Sequence, residues 1–240
     1  MGEANVTYAL SEDGTYYIVS GVSGNKRGLT EYDVPATYCA EEGGEALPVK
    51  QIGYEAFFEC YKLTSVTLPD SIEKIGERAF AKTAIKQFTI PEKVTRICFG
   101  AFGMCESLTE ITVPQSVTTL EPLAFAYCTS LQTACVKADI TVLDDKVFCN
   151  SVVAMGDNLY IHTSLKSVYL SASIKKICKT ALAGNIITDI YFAGSEEQWN
   201  ELYFYENVAD ENNAGSFKES RLEKNEVMDD SVKIHFNAQF

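Results

Sequence analysis

Long apolar runs and basic charge are both scarce in this chain of 240 residues. No stretch of eighteen apolar residues occurs, and the N-terminus has neither the basic segment nor the apolar core of an export signal. Lys and Arg number 20 against 33 Asp and Glu, which gives a formal net charge of -13. Because such a surface repels phosphate groups, we expect no nucleic-acid partner and no membrane insertion.

Residues that carry catalysis or hold metals are also few. The chain has two histidines, and it contains no CxxC, HExxH, GxGxxG or P-loop motif. One nucleophile–base candidate, Cys149 with His162, is separated by a predicted loop that does not enforce hydrogen-bond reach. The oxygen donors at residues 210–213 lack the alternating spacing of a calcium loop. The sequence therefore predicts a non-enzymatic protein without cofactor or bound metal.

What the chain does have is an internal repeat. The pair Ala-Phe, or Val-Phe in the last copy, recurs with spacings of 23, 22, 23 and 23 residues. A fixed period of this length is typical of proteins in which one structural unit stacks on the next. The repeated phenylalanines are Phe57, Phe80, Phe102, Phe125 and Phe148.

The residues that flank each pair are also repeated, and their pattern predicts the secondary structure of the unit. A step such as Ile52-Gly53 precedes the pair, and an alternating segment such as residues 63–69 follows it and ends in proline. Alternation with β-branched residues and a final proline predicts a short strand. One such strand cannot bury its own apolar side, but stacked copies can. We therefore predict a β-rich repeat solenoid of about six units, with an insertion at residues 149–164.

The two flanks of the repeats predict elements that cover the ends of the stack. Residues 6–10 and 16–20 predict a β-hairpin. Ser195 is predicted to cap a helix that carries Trp199 against the last unit and runs to about Tyr205. A flexible loop is expected at 207–220 and a final strand within 231–240. The predicted division is an N-terminal hairpin cap at 1–33, the solenoid at 34–194 and a C-terminal helix and strand cap at 195–240.

The repeat frame, V-x-x-I-G-x-x-A-F-x-x-C-x-x-L-x-x-V-x-L-P, resembles the BspA-type class of leucine-rich repeat. The resemblance covers roughly residues 34–194, and the flanking segments at 8–21 and 191–202 resemble the ends of such proteins. It implies a right-handed superhelix of β-strands with short turns or 3-10 segments. It also implies a place on the bacterial cell surface or outside the cell, with the export signal removed, and adhesion or host-protein binding rather than chemistry.

Cysteine positions follow the repeat as well. Cys60, Cys105 and Cys128 occupy one slot, where a small and weakly polar side chain fits the interior. Cys98 and Cys178 share the slot that holds glycine in earlier units. Since side chains in the same slot run parallel, we expect few or no disulfides.

Alternation along the strands also places every second side chain on an outer face. One outward row ends in Tyr169 and Tyr191, and tyrosine is enriched at binding hot spots. Outward threonine, in contrast, is equally explained as favourable strand chemistry. The candidate ligand-binding residues on this face are Thr67, Thr89, Glu110, Thr112, Tyr169, Asp189 and Tyr191.

Two functions remain open from the sequence. The first is a module that binds a protein or glycan, with host extracellular matrix as a candidate ligand, through the face near Tyr169 and Tyr191. The insertion, which contains Met155 and Tyr160, is expected to emerge beside it. The second is a structural spacer without a ligand of its own. In either case we expect a monomer.

Overall fold

The computed structural model describes residues 3–150, 164–209, 217–222 and 231–240. In these ranges the helical segments are α1 (Glu196–Asn200) and a 3-10 turn at Lys26–Gly28. The strands are, in chain order, β1 (Asn5–Leu10), β2 (Tyr17–Ser23), β3 (Glu31–Asp33), β4 (Thr37–Tyr38), β5 (Leu47–Ile52), β6 (Ser65–Thr67), β7 (Lys74–Ile75), β8 (Arg96–Ile97), β9 (Glu110–Val113), β10 (Thr119–Leu120), β11 (Thr133–Val136), β12 (Val142–Leu143), β13 (Ser167–Leu170), β14 (Lys176–Cys178), β15 (Asp189–Phe192), β16 (Tyr203–Ala209), β17 (Phe217–Leu222) and β18 (Lys233–His235).

The steps before the Ala-Phe pairs form parallel strands that we call the isoleucine wall. β5, β7, β8 and β10 pair in that order, and β12, β14 and β16 pair in the later units. The predicted N-terminal hairpin forms as β1 and β2, and β2 joins β5 in parallel. The residues in register are Ile52, Ile75, Ile97 and Leu120 in the first group and Leu143, Ile177 and Phe204 in the second.

The segments after the Ala-Phe pairs form a second set of parallel strands, which we call the strand face. β9, β11, β13, β15 and β18 pair in this order with no slip in register. Their alternate side chains turn inward and are fully or almost fully buried, as the period of two requires. These inward residues include Ile111, Ala134, Val168 and Ile190.

The strand face is not continuous, which differs from the prediction of one strand per unit. β6 pairs with β3, and residues 86–90 of the second unit form no strand. This unit is one residue short, and Phe88 occupies a slot that is aliphatic elsewhere. The Phe88 ring packs 5.0 Å from Phe80 and 4.8 Å from Phe102, between centroids. The short spacing and the large ring explain why the ladder is interrupted here.

A stack of phenylalanine rings runs through the interior. The five repeated rings are fully or almost fully buried and lie nearly parallel, with centroids 5.2 to 5.4 Å apart. Each phenylalanine N–H donates to the carbonyl of the residue that precedes the next repeated phenylalanine, or of Ala181 after Phe148. The phenylalanine of the repeated pair is therefore the interior anchor of these five units.

The turns around the Ala-Phe pairs adopt left-handed backbone conformations that were not predicted from the sequence. In the units of Phe57, Phe80, Phe102 and Phe125, the residues two before and two after the phenylalanine have positive φ, and in the unit of Phe148 only the residue before it does. Left-handed residues cost roughly 1–2 kcal/mol when they carry a Cβ. Nevertheless, most are not glycine; they are Glu55, Arg78, Gly100, Leu123 and Lys146 before the ring and Glu59, Lys82, Met104 and Tyr127 after it, with φ from 50° to 62°.

The shared cysteine slot lies in the core, as predicted. Cys60, Cys105 and Cys128 are fully buried, and all eight cysteines of the chain are free thiols. The Cys105 Sγ donates to the Phe80 carbonyl and the Cys128 Sγ to the Phe102 carbonyl, both at 3.2 Å. A thiol here therefore satisfies a buried acceptor of the preceding unit, a role that its size alone did not predict.

The C-terminal segment differs from the prediction in two places. Ser195 does cap the helix, in a reciprocal pair of hydrogen bonds with Gln198, and Trp199 packs on Phe192 at 5.3 Å. The helix, however, ends at Asn200, because the aromatic residues that follow pair with β14 as strand β16. The loop predicted at 207–220 is also wrong at both of its ends, since β16 and β17 form an antiparallel hairpin there.

We predict that Phe102→Ala lowers the free energy of unfolding by about 3–5 kcal/mol, since it removes a buried ring from the centre of the stack. Phe99→Ala in the same unit is the matched control, because Phe99 is 40% exposed. Urea denaturation of both variants measures the difference. Equal losses would show that the stack is not what stabilises the unit.

We predict that Met104→Gly raises the melting temperature slightly and that Met104→Val lowers it. Met104 has φ of 59° and is 43% exposed, so its backbone rather than its packing decides the effect. Glycine relieves a left-handed strain of roughly 1–2 kcal/mol and costs about 0.5–1 kcal/mol of chain entropy, whereas a β-branched residue adds crowding. A Val variant as stable as the Gly variant, by thermal unfolding, would contradict the assignment of strain to this slot.

Candidate functional site

The outward side chains of the strand face lie in two rows fixed by the strand register. Parallel strands in register bring equivalent residues of successive units side by side. The first row reads Glu110, Thr133, Ser167, Asp189 and Lys233, and the second reads Thr112, Cys135, Tyr169, Tyr191 and His235.

At the C-terminal end of the second row the rings form one stack. Tyr169 and Tyr191 have centroids 4.4 Å apart at 8°, and Tyr191 and His235 have centroids 4.4 Å apart at 11°. Phe240 contacts Tyr169 edge-on at 5.4 Å. Both tyrosines lie in the outward row as predicted, but their contacts leave them half-buried rather than exposed. Their faces contact one another, so the stack offers solvent mainly ring edges.

His235 of β18 also belongs to this cluster, although it was not among the predicted site residues. Its Nε2 lies 2.8 Å from Asp189 Oδ1, and Thr188 Oγ1 donates to the same carboxylate. The hydrogen bond with His235, followed by that from Thr188, lowers the pKa of Asp189 below its ordinary value. Alternation along residues 233–235 was the signal that could have placed His235 beside Tyr191.

Burial has the opposite effect on the pKa values of two groups in the second row, Tyr169 and Cys135. Desolvation raises the pKa of the Tyr169 phenol and that of the Cys135 thiol. Both groups therefore stay neutral at ordinary pH. The centre of the second row offers hydroxyl and thiol groups, and Asp189 and Lys233 lie side by side in the first row at the C-terminal end.

The N-terminal end of the strand face contains a cavity. A cavity of about 350 Å³ opens where the ladder is interrupted, and side chains of the second, third and fourth units line it. Its polar lining comes from Gln87, Thr89, Glu92, Glu110, Thr112 and Thr133, and its apolar lining from Phe88, Ile90, Ile111, Pro114 and Cys135.

The structure therefore divides the predicted site into separate places. Thr89, Glu110 and Thr112 meet at the cavity, whereas Tyr169, Asp189 and Tyr191 meet at the aromatic end. Thr67 belongs to the short β3–β6 sheet and joins neither group. The insertion residues Met155 and Tyr160 lie outside the described residues.

Only some of the residues considered for catalysis or metal binding lie in the described part of the chain. Cys149 is buried, while His162 and the acidic run at 210–213 lie outside the described residues. In the parts of the chain that the structure describes, no group of three potential metal ligands occurs. Among those same residues, no helix has the length and apolar character needed to cross a membrane.

Comparison with known proteins identifies the repeat. The sequence pattern of the BspA type leucine rich repeat region matches six copies, at residues 46–153 and 150–211. The chain belongs to this BspA-type leucine-rich repeat family. Leucine-rich repeat domains generally act as protein-interaction modules, and neither family nor fold indicates a catalytic function.

Similar solved structures include two, from Bacteroides ovatus and T. pallidum, that support the fold. A leucine-rich repeat protein from Bacteroides ovatus is 23% identical, with 77% of this chain and 53% of that chain covered and a TM-score of 0.53. The leucine-rich repeat protein of T. pallidum is 22% identical, with 60% and 75% covered and a TM-score of 0.50. One from Bacteroides capillosus is 33% identical, with 55% and 93% covered and a TM-score of 0.47. No curated protein matches the chain.

We predict that Asp189→Asn reduces the loss of stability on acidification. A carboxyl whose pKa is lower in the folded state stabilises the fold above its ordinary value, near 4, and this contribution is lost as pH falls through the lower folded value. Urea denaturation between about pH 5 and pH 3 should show a shallower decline in the variant. The exposed Asp139→Asn serves as control. An unchanged slope for Asp189→Asn would mean that the His235 contact does not form in solution.

Proposed function

We propose that this chain is a non-enzymatic binding module of a bacterial cell-surface or secreted protein, and that the strand face carries its site. The ligand is a protein or glycan, with host extracellular matrix as the first class to test. The observation that carries the proposal is the aromatic stack of Tyr169, Tyr191 and His235 beside Asp189, gathered from three strands in register. We further propose an extracellular location and a monomeric state.

The chemistry of the stack supports a binding role. Tyrosine combines a large apolar contact area with a hydroxyl at its edge, and such residues dominate the binding energy of many interfaces. Neighbouring rings hold one another in place, so little conformational entropy remains to be lost when a ligand binds. Five paired strands keep the stack rigid.

The proposed organisation follows the pairing of the strands. Residues 1–33 contribute the hairpin that borders the isoleucine wall, 34–194 the solenoid, and 195–240 the closing helix and strands. Hairpins at sheet ends cover edges that would otherwise pair with another chain. This supports a monomer with a right-handed superhelical path capped at both ends.

A structural spacer is the alternative function. The continuous phenylalanine stack favours it, because a stiff rod separates domains well without any ligand. The spacer role does not explain why an ordered aromatic cluster stands on the strand face.

We predict that the purified protein binds in a saturable manner to a panel of immobilised matrix proteins or to a glycan array. The double variant Tyr169→Ala/Tyr191→Ala should lose at least tenfold in affinity, since hot-spot residues contribute about 2 kcal/mol or more. The matched control is Tyr54→Ala/Tyr61→Ala, because these tyrosines are 62% and 48% exposed and lie away from the strand face. Silence across both panels would favour the spacer, whereas equal binding by both double variants would overturn the aromatic stack as the binding site.

A further inference from the structure

We propose that the cavity on the strand face binds the guanidinium group of an arginine side chain presented by a protein partner. The inference rests on the proposed function, since it takes the strand face to be the binding surface, and it names the chemistry of the partner. It concerns a different part of that face from the aromatic stack.

The cavity has a structural origin that leaves it open to solvent. Residues 87–90 form no backbone hydrogen bond with either neighbouring strand in the described part of the chain; Thr109 N–H to the Lys86 carbonyl is the contact just before them. Apart from Glu110, the outward side chains that line the cavity from β9 and β11 are short: Thr112, Thr133 and Cys135. A volume of about 350 Å³ is within the range of sites that hold small ligands. It is large enough for one long side chain.

The charge of the cavity is not compensated. Glu92 and Glu110 are exposed and line it, and no lining residue is cationic. Among the described residues neither carboxylate lies within 4 Å of a Lys, Arg or His nitrogen. Four other carboxylates of these repeats are paired with a cation of a neighbouring unit: Glu73 with Lys50, Glu55 with Arg78, Glu59 with Lys82 and Glu121 with Arg96. The cavity, in contrast, brings two carboxylates without such a partner to one opening.

The acceptors of the cavity suit a guanidinium better than an ammonium ion. Arginine has five N–H donors in a planar fork, and these need several acceptors spread around one plane. Two carboxylates, three threonine hydroxyls and the Gln87 amide come from three successive units around one opening. The floor, formed by Phe88 and Ile111, can cover the apolar stem of the side chain. A formal net charge of -13 attracts a basic partner at longer range.

We predict that the peptide acetyl-Gly-Arg-Gly-amide, added to ¹⁵N-labelled protein, shifts the backbone amide signals of Thr89, Glu110 and Thr112. The same peptide with citrulline keeps the shape but lacks the charge, and it should leave these signals in place. A lysine peptide should bind more weakly than the arginine peptide. The dissociation constant follows from the dependence of the shifts on peptide concentration.

A matched pair of variants makes the test specific. Glu110→Gln should weaken arginine binding by about fivefold, the upper range for one exposed ion pair. Glu106→Gln should leave it unchanged, because Glu106 is exposed and does not line the cavity. Both changes are at the surface, so unchanged thermal unfolding is expected and confirms that the variants are folded.

Three results would overturn the inference. The citrulline or lysine peptide could match the arginine peptide, the shifts could map to the acidic loop at 41–45 instead, or Glu110→Gln could leave the dissociation constant unchanged. The proposed function fails separately. If no matrix protein or glycan binds but the arginine peptide shifts the signals at the cavity, the tested ligand classes are excluded and the arginine site is supported. Array binding that depends on Tyr169 and Tyr191, without peptide shifts, would support the binding face and overturn the arginine site.

Discussion

The backbone hydrogen bond that links each repeated phenylalanine to the next unit is the contact on which the rest of the structure depends. The five bonds measure 2.7 to 2.9 Å between nitrogen and oxygen. Because they set the distance between units, they also set the ring separation of 5.2 to 5.4 Å and the spacing of the strands on both walls. An outward residue of one unit therefore has a fixed neighbour in the next, which is what allows an ordered surface to be built from short strands.

The two ends of the strand face show how the same scaffold gives different surfaces. Where the register is unbroken, large rings at equivalent positions are brought into contact, as in Tyr169 and Tyr191. Where one residue is missing and Phe88 enlarges the interior, the ladder opens and a cavity forms. The two candidate sites therefore arise in different ways, one from an unbroken register and the other from an irregular unit.

The repeat is the part of the fold that the sequence predicts well. Period and alternation placed the interior residues, the outward rows and the capping serine Ser195, because each depends on local patterning. The end of the helix after Asn200 was missed, since pairing with a distant strand overrides local preference there. The cavity and the contact between Asp189 and His235 were missed as well. Both depend on the distance between separate segments, which no local pattern specifies.

The left-handed slots of the turns have a consequence for how such surfaces can diversify. Their side chains point out from a backbone whose course is fixed by the hydrogen bonds of the unit, and glutamate, arginine, lysine, methionine and tyrosine all occupy them. The backbone therefore accepts acidic, basic, aliphatic and aromatic groups at the same places. Each of these positions can therefore be substituted independently, so the charge and shape of the turn surface can change while the interior stays the same.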